Sequence, residues 1–485
     1  MKYLTVIIIA VLSLVFYSTN SAKSAADQAT NIHIKVNGLS SNWIYLHDVY
    51  ENKKSRIDSA FVDDQGNAYF KRDELFAQGY YNLILPDSTV LDVLLDEDQV
   101  FSLETTYPNL VTDMQITGST ENEILYTLLK YEAGMGDQFQ IAIQQLQANG
   151  EQEIDQNAVE QIRQNLFAKR DMELAKLYGQ YPNTLFTQYQ KAQEAPKEIL
   201  NEILTDQSID ENERTFLMLD HYWDNVDFSD SRLLHTPVIF NRLTNYFYQY
   251  SPNQTMTKLR AIDVLMNKVT NHPDYYKFFA VWIAESYEPQ EESNIDKEAL
   301  YVHMVDNYLN EKRAFWADST QVYAWQLRAG YRAKSLIGKK GQNIEAKDPQ
   351  GNTKALYDIQ TPYVAIFFYH AECDHCQETA PKLAKVHQEW KDRGLEVYAV
   401  SMDTPEKEWK EFLVKYKMED MVNVSDEDNF DIYSNYYVLG TPYVYLLNPN
   451  RTIIGKNIAV EDIPKYMMMD QQAIAEVQRQ QASNQ

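Results

Sequence analysis

The chain has 485 residues, of which 44% are hydrophobic, so it is too long for one core and apolar enough to fold as two to four domains without disulfide staples. Its 70 Asp and Glu against 44 Lys and Arg give a formal charge of −26, which argues against nucleic acid or an anionic membrane surface as partner. A solvated acidic surface is the plain reading of that charge, and no acidic run is long enough to form a separate tail.

In chain order, Met1-Lys2-Tyr3 precedes an apolar run from Leu4 to Tyr17 and small polar residues through Ala26. That is the pattern of a secretory signal peptide over residues 1–26, too short an apolar run for the ~20 residues that span a bilayer. No cysteine follows the run, which removes a lipid-anchored form. The expected mature chain starts near Asp27, exported to a periplasm or cell envelope, with no stable membrane span after cleavage.

Residues 27–118 alternate with period two at Ile32, Ile34 and Val36, at Trp43 and Tyr45, and at Tyr80, Leu83 and Leu85, broken by turn signals such as Asp64-Gln65-Gly66-Asn67. The expectation is a small β-sandwich-like domain. At Gly118-Ser119-Thr120-Glu121 the period changes, with Ser119 or Thr120 available as a helix N-cap. Residues 119–333 read as an all-α helical domain, Gln- and Glu-rich, with breaks at Tyr181-Pro182-Asn183, Asp206-Gln207-Ser208, Asp227-Phe228-Ser229-Asp230 and Ser251-Pro252-Asn253. Its aromatics, Tyr222-Trp223 and Tyr246-Phe247-Tyr248-Tyr250, read as core before they read as a peptide groove. His221, His235, His272 and His303 stand singly, without the spacing of a helical metal site.

The third domain, residues 334–485, holds the chemistry. The only two cysteines of the chain form Cys373-Asp374-His375-Cys376. Before them, Tyr363 to Tyr369 is apolar, β-branched and aromatic, as in a buried strand. After them, Ala380, Leu383, Ala384, His387 and Trp390 recur at helical spacing. A cysteine pair between a strand and the start of a helix is a redox motif in its proper context. Helix N-terminal amides favour a thiolate on Cys373, which can attack a partner's disulfide, and Cys376 then resolves the mixed disulfide. The competing reading, a structural staple, is weak, because closing a loop of about four residues stabilises by only about 2 kcal/mol. Further on come a strand Leu395 to Ser401, a helix from Thr404 with Thr404 as N-cap and Pro405 at its first position, a loop through Asp426, a second loop ending Leu439-Gly440-Thr441-Pro442, a strand Tyr443 to Leu447 and a strand Arg451 to Ile458.

This order resembles the thioredoxin fold, and specifically the exported thioredoxin-like proteins of the TlpA and ResA type. The resemblance is carried by Cys373 and Cys376, by Pro381, by Val400-Ser401-Met402-Asp403 ending a strand, and by Thr441-Pro442. It implies an α/β thioredoxin-fold domain, a multidomain chain with β-rich and helical modules in front, and a thiol-disulfide oxidoreductase needing no cofactor beyond the Cys373–Cys376 pair. It also implies that Pro442 is cis and that Thr441 docks substrate. The chain departs from the pattern at Phe367, where thioredoxins bury an Asp, at Glu372, where they place Trp, and at Thr379, where ResA-type proteins carry Glu; Glu378 stands beside it. Protonated His375 favours the Cys373 thiolate, whereas Asp374 and Glu372 oppose it, each by roughly 0.7 to 1.4 kcal/mol. The expected potential is mid-range, nearer a reductase than a strong oxidant. Expected partners are thiols and disulfides of envelope proteins and an upstream thiol reductant or oxidant. Two other readings remain open: a metal site on His370, Cys373, His375 and Cys376, which the usual two-pair ligand spacing disfavours, and an envelope binding or scaffold protein with a redox-inert thioredoxin-like domain.

Overall fold

The computed structural model describes residues 30–50, 53–148, 156–252, 254–288, 296–426 and 431–483. The export signal expected over residues 1–26 lies outside them. The N-terminal region is β-rich: β1 (Thr30–Asn37), β2 (Asn42–Tyr50), β3 (Lys53–Val62), β4 (Asn67–Arg72), β5 (Gly79–Ile84), β6 (Val90–Leu95), β7 (Val100–Thr106) and β8 (Gln115–Thr117). The central region is helical: α1 (Thr120–Ala148), α2 (Gln156–Gln180), α3 (Leu185–Gln193), α4 (Lys197–Thr205), α5 (Glu211–His221), α6 (Pro237–Asn245), α7 (Thr255–Lys268), α8 (Pro273–Ser286), α9 (Lys297–Asn307) and α10 (Ser319–Ala333). The C-terminal region alternates: β9 (Glu345–Lys347), β10 (Thr353–Ala355), β11 (Tyr363–Tyr369), α11 (Asp374–Trp390), β12 (Leu395–Ser401), α12 (Glu406–Lys415), β13 (Val422–Ser425), α13 (Asp431–Tyr436), β14 (Tyr443–Leu447), β15 (Ile453–Lys456) and α14 (Ile463–Ser483).

The chain divides into two compact units, one holding the residues up to Ala195 with Asn225–Leu243, the other Pro196–Asp224 with Thr244–Gln485. The first contains two four-stranded sheets, ordered β4-β1-β7-β8 and β3-β2-β5-β6. Period two sets their buried faces: Ile32, Ile34 and Val36 of β1 are buried, as are Ile44 and Leu46 of β2. Ser119 caps α1 by accepting the Asn122 N–H at 3.3 Å. Glu121, buried in the first turn, accepts the N–H groups of Leu185 and Phe186 at 2.7 and 2.8 Å, so it satisfies donors left free at the start of α3.

In the second unit the aromatics of the helical region form core. Tyr222, Trp223, Tyr246 and Phe247 are buried, and Tyr222 packs on Tyr246 and Tyr250 at ring separations of 5.2 and 4.7 Å. Tyr248 alone of that run faces solvent. The C-terminal sheet has seven strands in the order β10-β9-β13-β12-β11-β14-β15. Strands β11, β12 and β13 are parallel, and β14 runs antiparallel to β11. Every residue of β11 is buried because helices cover both faces of a parallel core. The connection out of α11 ends at Gly394, whose φ of +91° and close neighbour Pro362 leave no room for a side chain.

Two local expectations needed correction. The helix expected from Thr404 starts at Glu406: Pro405 has ψ 145°, outside the helix, and the Thr404 hydroxyl is engaged elsewhere rather than capping. The stretches read as loops before Cys373 and through Asp426 hold β9, β10 and β13, and the second loop holds α13. Strands of three or four residues with polar positions, such as Val422-Asn423-Val424-Ser425, give too little pattern to read.

Candidate active site

The strand β11 delivers the chain to the cysteine pair, and a set of hydrogen bonds fixes the crossing. Met402 N–H donates to Tyr369 O at 2.7 Å, holding the ends of β11 and β12 together. Ala371 N–H donates to the Thr404 hydroxyl at 3.3 Å. The Gln377 amide donates to Ala371 O at 3.1 Å and accepts from Tyr416 OH at 3.0 Å. Cys373 is the N-cap residue of α11, with φ −76° and ψ 120°, and its N–H donates to His370 O at 3.1 Å. The sequence reading took Thr404 as a helix cap and did not place Thr404, Gln377 or Tyr416 at the cysteine pair. Their polar atoms are ordinary in composition, and only the fold brings them together.

Facing Cys373 from the other side is the segment that enters β14. The Thr441–Pro442 peptide is cis, and the Cys373 thiol donates to Thr441 O at 3.3 Å. Cys373 is half-buried and Cys376 fully buried, and both thiols are free. The Cys376 side chain packs in the core with Phe367, Tyr369, Ala380 and Val444. Tyr369 stacks on Phe367 with ring centroids 5.2 Å apart, and its hydroxyl accepts from Trp409 Nε1 at 2.9 Å.

The two thiols are electrostatically unlike. Burial pulls the Cys373 thiol up, but the Cys376 thiol and N–H, the Thr441 side chain and the His375 N–H together outweigh it and hold Cys373 below the ordinary thiol value. Burial pushes Cys376 up to about 12, and the neighbouring Cys373 adds to the rise. One sulfur is thus prepared to ionise and the other to stay protonated. Among the flanking charges, Glu372, Asp374, His375 and Glu378 are all exposed. His375 Nδ1 and Glu378 Oε2 lie 3.9 Å apart on the outer face of α11, away from the buried Cys376. Among the described residues, no group of three or more His, Cys, Asp or Glu side chains converges as a metal would require. A cleft of about 350 Å³ lined by Lys347, Thr353, Thr404, Glu406 and Trp409 includes neither cysteine.

A seven-stranded mixed sheet, a cysteine pair opening a helix and a cis proline opposite it define the C-terminal region as a thioredoxin-like domain. Residues 337–459 match the AhpC/TSA family, and residues 185–325 match a family described only as a domain of unknown function. The chain is similar to thiol-disulfide oxidoreductase ResA of Halalkalibacterium halodurans, 20% identical over 155 residues that make up 30% of this chain and 87% of that protein. It is likewise similar to thiol-disulfide oxidoreductase ResA of Bacillus cereus, 24% identical over 26% of this chain and 72% of that protein. Among solved structures, a domain of a possible thiol-disulfide isomerase from Cytophaga hutchinsonii is 32% identical, with 29% of this chain and 97% of that chain covered and a TM-score of 0.28. A thioredoxin-like protein from Bacteroides caccae covers 54% of this chain and 96% of its own at 21% identity, with a TM-score of 0.43.

Proposed function

We propose that this chain is an exported thiol-disulfide oxidoreductase that reduces or exchanges disulfides of envelope proteins, with Cys373 as nucleophile and Cys376 as resolving thiol. The observation that carries the reading is the unlike pair: a half-buried Cys373 thiol held low at the start of α11 beside a buried Cys376 held up to about 12. The similarity to the thiol-disulfide oxidoreductases ResA supports the reaction class, and the run over residues 1–26 supports export. Among the described residues no helix is long and apolar enough to cross a membrane.

In the reductive direction, the Cys373 thiolate attacks one sulfur of the client disulfide. The client S–S bond breaks, its second sulfur leaves as a thiolate and takes up a proton, and a mixed disulfide forms. Cys376 then gives up its proton and attacks the Cys373 sulfur, so that the second client thiolate leaves and the Cys373–Cys376 disulfide closes. Two electrons pass to the client, and an external dithiol restores the pair. Thr441, whose carbonyl reaches Cys373, is placed to pair with the client's backbone, and Pro442 supplies no N–H to compete. The flanking charges Glu372, Asp374, His375 and Glu378 tune the thiolate from outside.

The test is the equilibrium potential of the pair in glutathione or dithiothreitol buffers, with insulin reduction by the wild type and by Cys373→Ser. A reversible two-electron couple between about −150 and −280 mV, with insulin reduction abolished in Cys373→Ser, is expected. A couple far below about −300 mV, or activity that survives Cys373→Ser, would sink the reading.

A further inference from the structure

The helix α10 ends beside the segment that faces Cys373, and an apolar stripe runs along its outer side. Tyr323, Leu327 and Tyr331, spaced four apart, are 63%, 43% and 40% exposed. They therefore form one stripe along the helix. Over its fifteen residues α10 carries no Asp or Glu, in a chain that has 70 of them. The stripe does not stop at the helix. Tyr331 stacks on Tyr437 with centroids 6.3 Å apart and planes 12° apart, and Arg332 lies 4.7 Å over the same ring. Tyr437 begins the segment that passes Leu439, 75% exposed, and reaches Thr441, whose oxygen touches the Cys373 sulfur.

Gly330 is exposed and lies beside Leu327, three residues on along the helix. A glycine inside a helix is unfavourable relative to alanine, and a Cβ here would meet nothing within 4 Å. No close approach within the protein requires it. Its bare backbone leaves a gap beside Leu327, on the side away from Tyr331, into which another chain's backbone can settle.

The geometry points to α10 as a docking face for the client polypeptide itself: an extended, apolar segment of the disulfide-bearing protein, next to the cysteine that Cys373 attacks. This rests on the thiol-exchange reading above. The occupant follows from continuity with the thiol. Four residues from Tyr437 to Thr441 span at most about 14 Å, and the stripe from Tyr331 to Tyr323 runs about 12 Å along the helix. An extended chain at about 3.3 Å per residue covers that path with roughly eight residues. A face this narrow falls far short of the ~800 Å² per partner of a standard interface, so a second copy is the poorer occupant. Weak contacts suffice for a client, because the mixed disulfide tethers it and makes docking intramolecular.

The test compares insulin with the small disulfide 5,5′-dithiobis(2-nitrobenzoate), using the full chain, a Tyr323→Ser/Leu327→Ser double variant and Gly330→Trp. The expected result is a fall of about tenfold in the ratio of kcat/KM for insulin to that for the small disulfide, residing in KM, in both variants, with Tm kept. Wild-type turnover of both substrates with an unchanged ratio in both variants would overturn the docking face. So would an equal loss on both substrates, which would place the effect at the thiols. A wild-type dimer that Gly330→Trp converts to monomer would assign the face to a second copy instead. A wild type inert toward both disulfides would be a different failure, removing the thiol-exchange reading and this proposal with it.

Discussion

At the scale of single residues, the position that matters most after the cysteines is Phe367. It is fully buried and packs with Cys376 and Tyr369, so an aromatic ring occupies the place where thioredoxins bury a carboxylate. The groups that move the Cys376 acidity, after burial itself, are the His370 backbone, Cys373 and Thr441, and once Cys373 is in the mixed disulfide none of them is a base. Resolution of the mixed disulfide therefore waits on a thiol that burial holds above its ordinary value, even after the Cys373 thiol's share of the rise is gone. Its rate is expected to rise roughly tenfold per pH unit from pH 7 upward, following the thiolate fraction. The first attack, by Cys373 held below the ordinary thiol value, levels off at lower pH. Stopped-flow release of the second client thiol measures this, and a plateau in the resolving step near pH 7 would mean that a base assists Cys376. Linkage runs the same way for stability of the reduced chain. The raised Cys376 contributes stability that is present below the unfolded thiol value and is lost as pH climbs toward 12.

At the scale of elements, β15 and α9 are joined by a buried ion pair. Lys456 donates to Glu298, with side chains 8% and 17% exposed, and also to Ser335 Oγ at 3.2 Å, while its ammonium lies 5.5 Å from the centre of the Tyr445 ring. Removing one partner strands the other charge away from water. Glu298→Ala is expected to cost about 3 kcal/mol, read as a lower urea midpoint. Glu298→Leu combined with Lys456→Met should recover most of the loss, since apolar replacement of both charges leaves nothing unpaired. Equal losses in single and double variants would show that packing, not the charge, is at stake. This pair was invisible in the sequence, where the two residues stand 158 apart. The cysteine-bearing helix was legible, because Ala380, Leu383 and His387 mark its buried face at helical spacing. The start of α12 was misread, because the Thr404 hydroxyl is engaged by Ala371 and Met402 instead of capping, and Pro405 is itself the N-cap, its carbonyl accepting the Trp409 N–H at 3.0 Å.

At the scale of the whole molecule, the charge of −26 sets a field that the exposed Glu372, Asp374 and Glu378 repeat beside Cys373. Cationic disulfides should meet Cys373 faster than anionic ones, with the difference shrinking as salt screens it. The ratio of initial rates for cystamine over oxidised glutathione is expected to fall at least about threefold between ~10 mM and ~0.5 M salt. A ratio that does not change with salt would confine the charge to a role in solubility. The whole-chain division also belongs at this scale: α1, α2 and α3 stand in one compact unit with the β-rich sheets, while α4, α5 and α7 to α10 stand in the other with the C-terminal sheet.

The sequence by itself determined the candidate redox pair and the order of regions. Two cysteines three apart between an apolar strand and an amphipathic helix, a Thr-Pro before a later strand, and period-two and period-three-to-four stretches are local patterns, and local patterns are written in neighbouring residues. Only the tertiary structure decided what meets across long separations: Thr441 against Cys373, Tyr416 and Gln377 behind the pair, Tyr331 on Tyr437, and Glu298 with Lys456. Those contacts depend on how strands register and helices pack, which no single segment encodes, and they decide how acidic each thiol is and which surface leads to it.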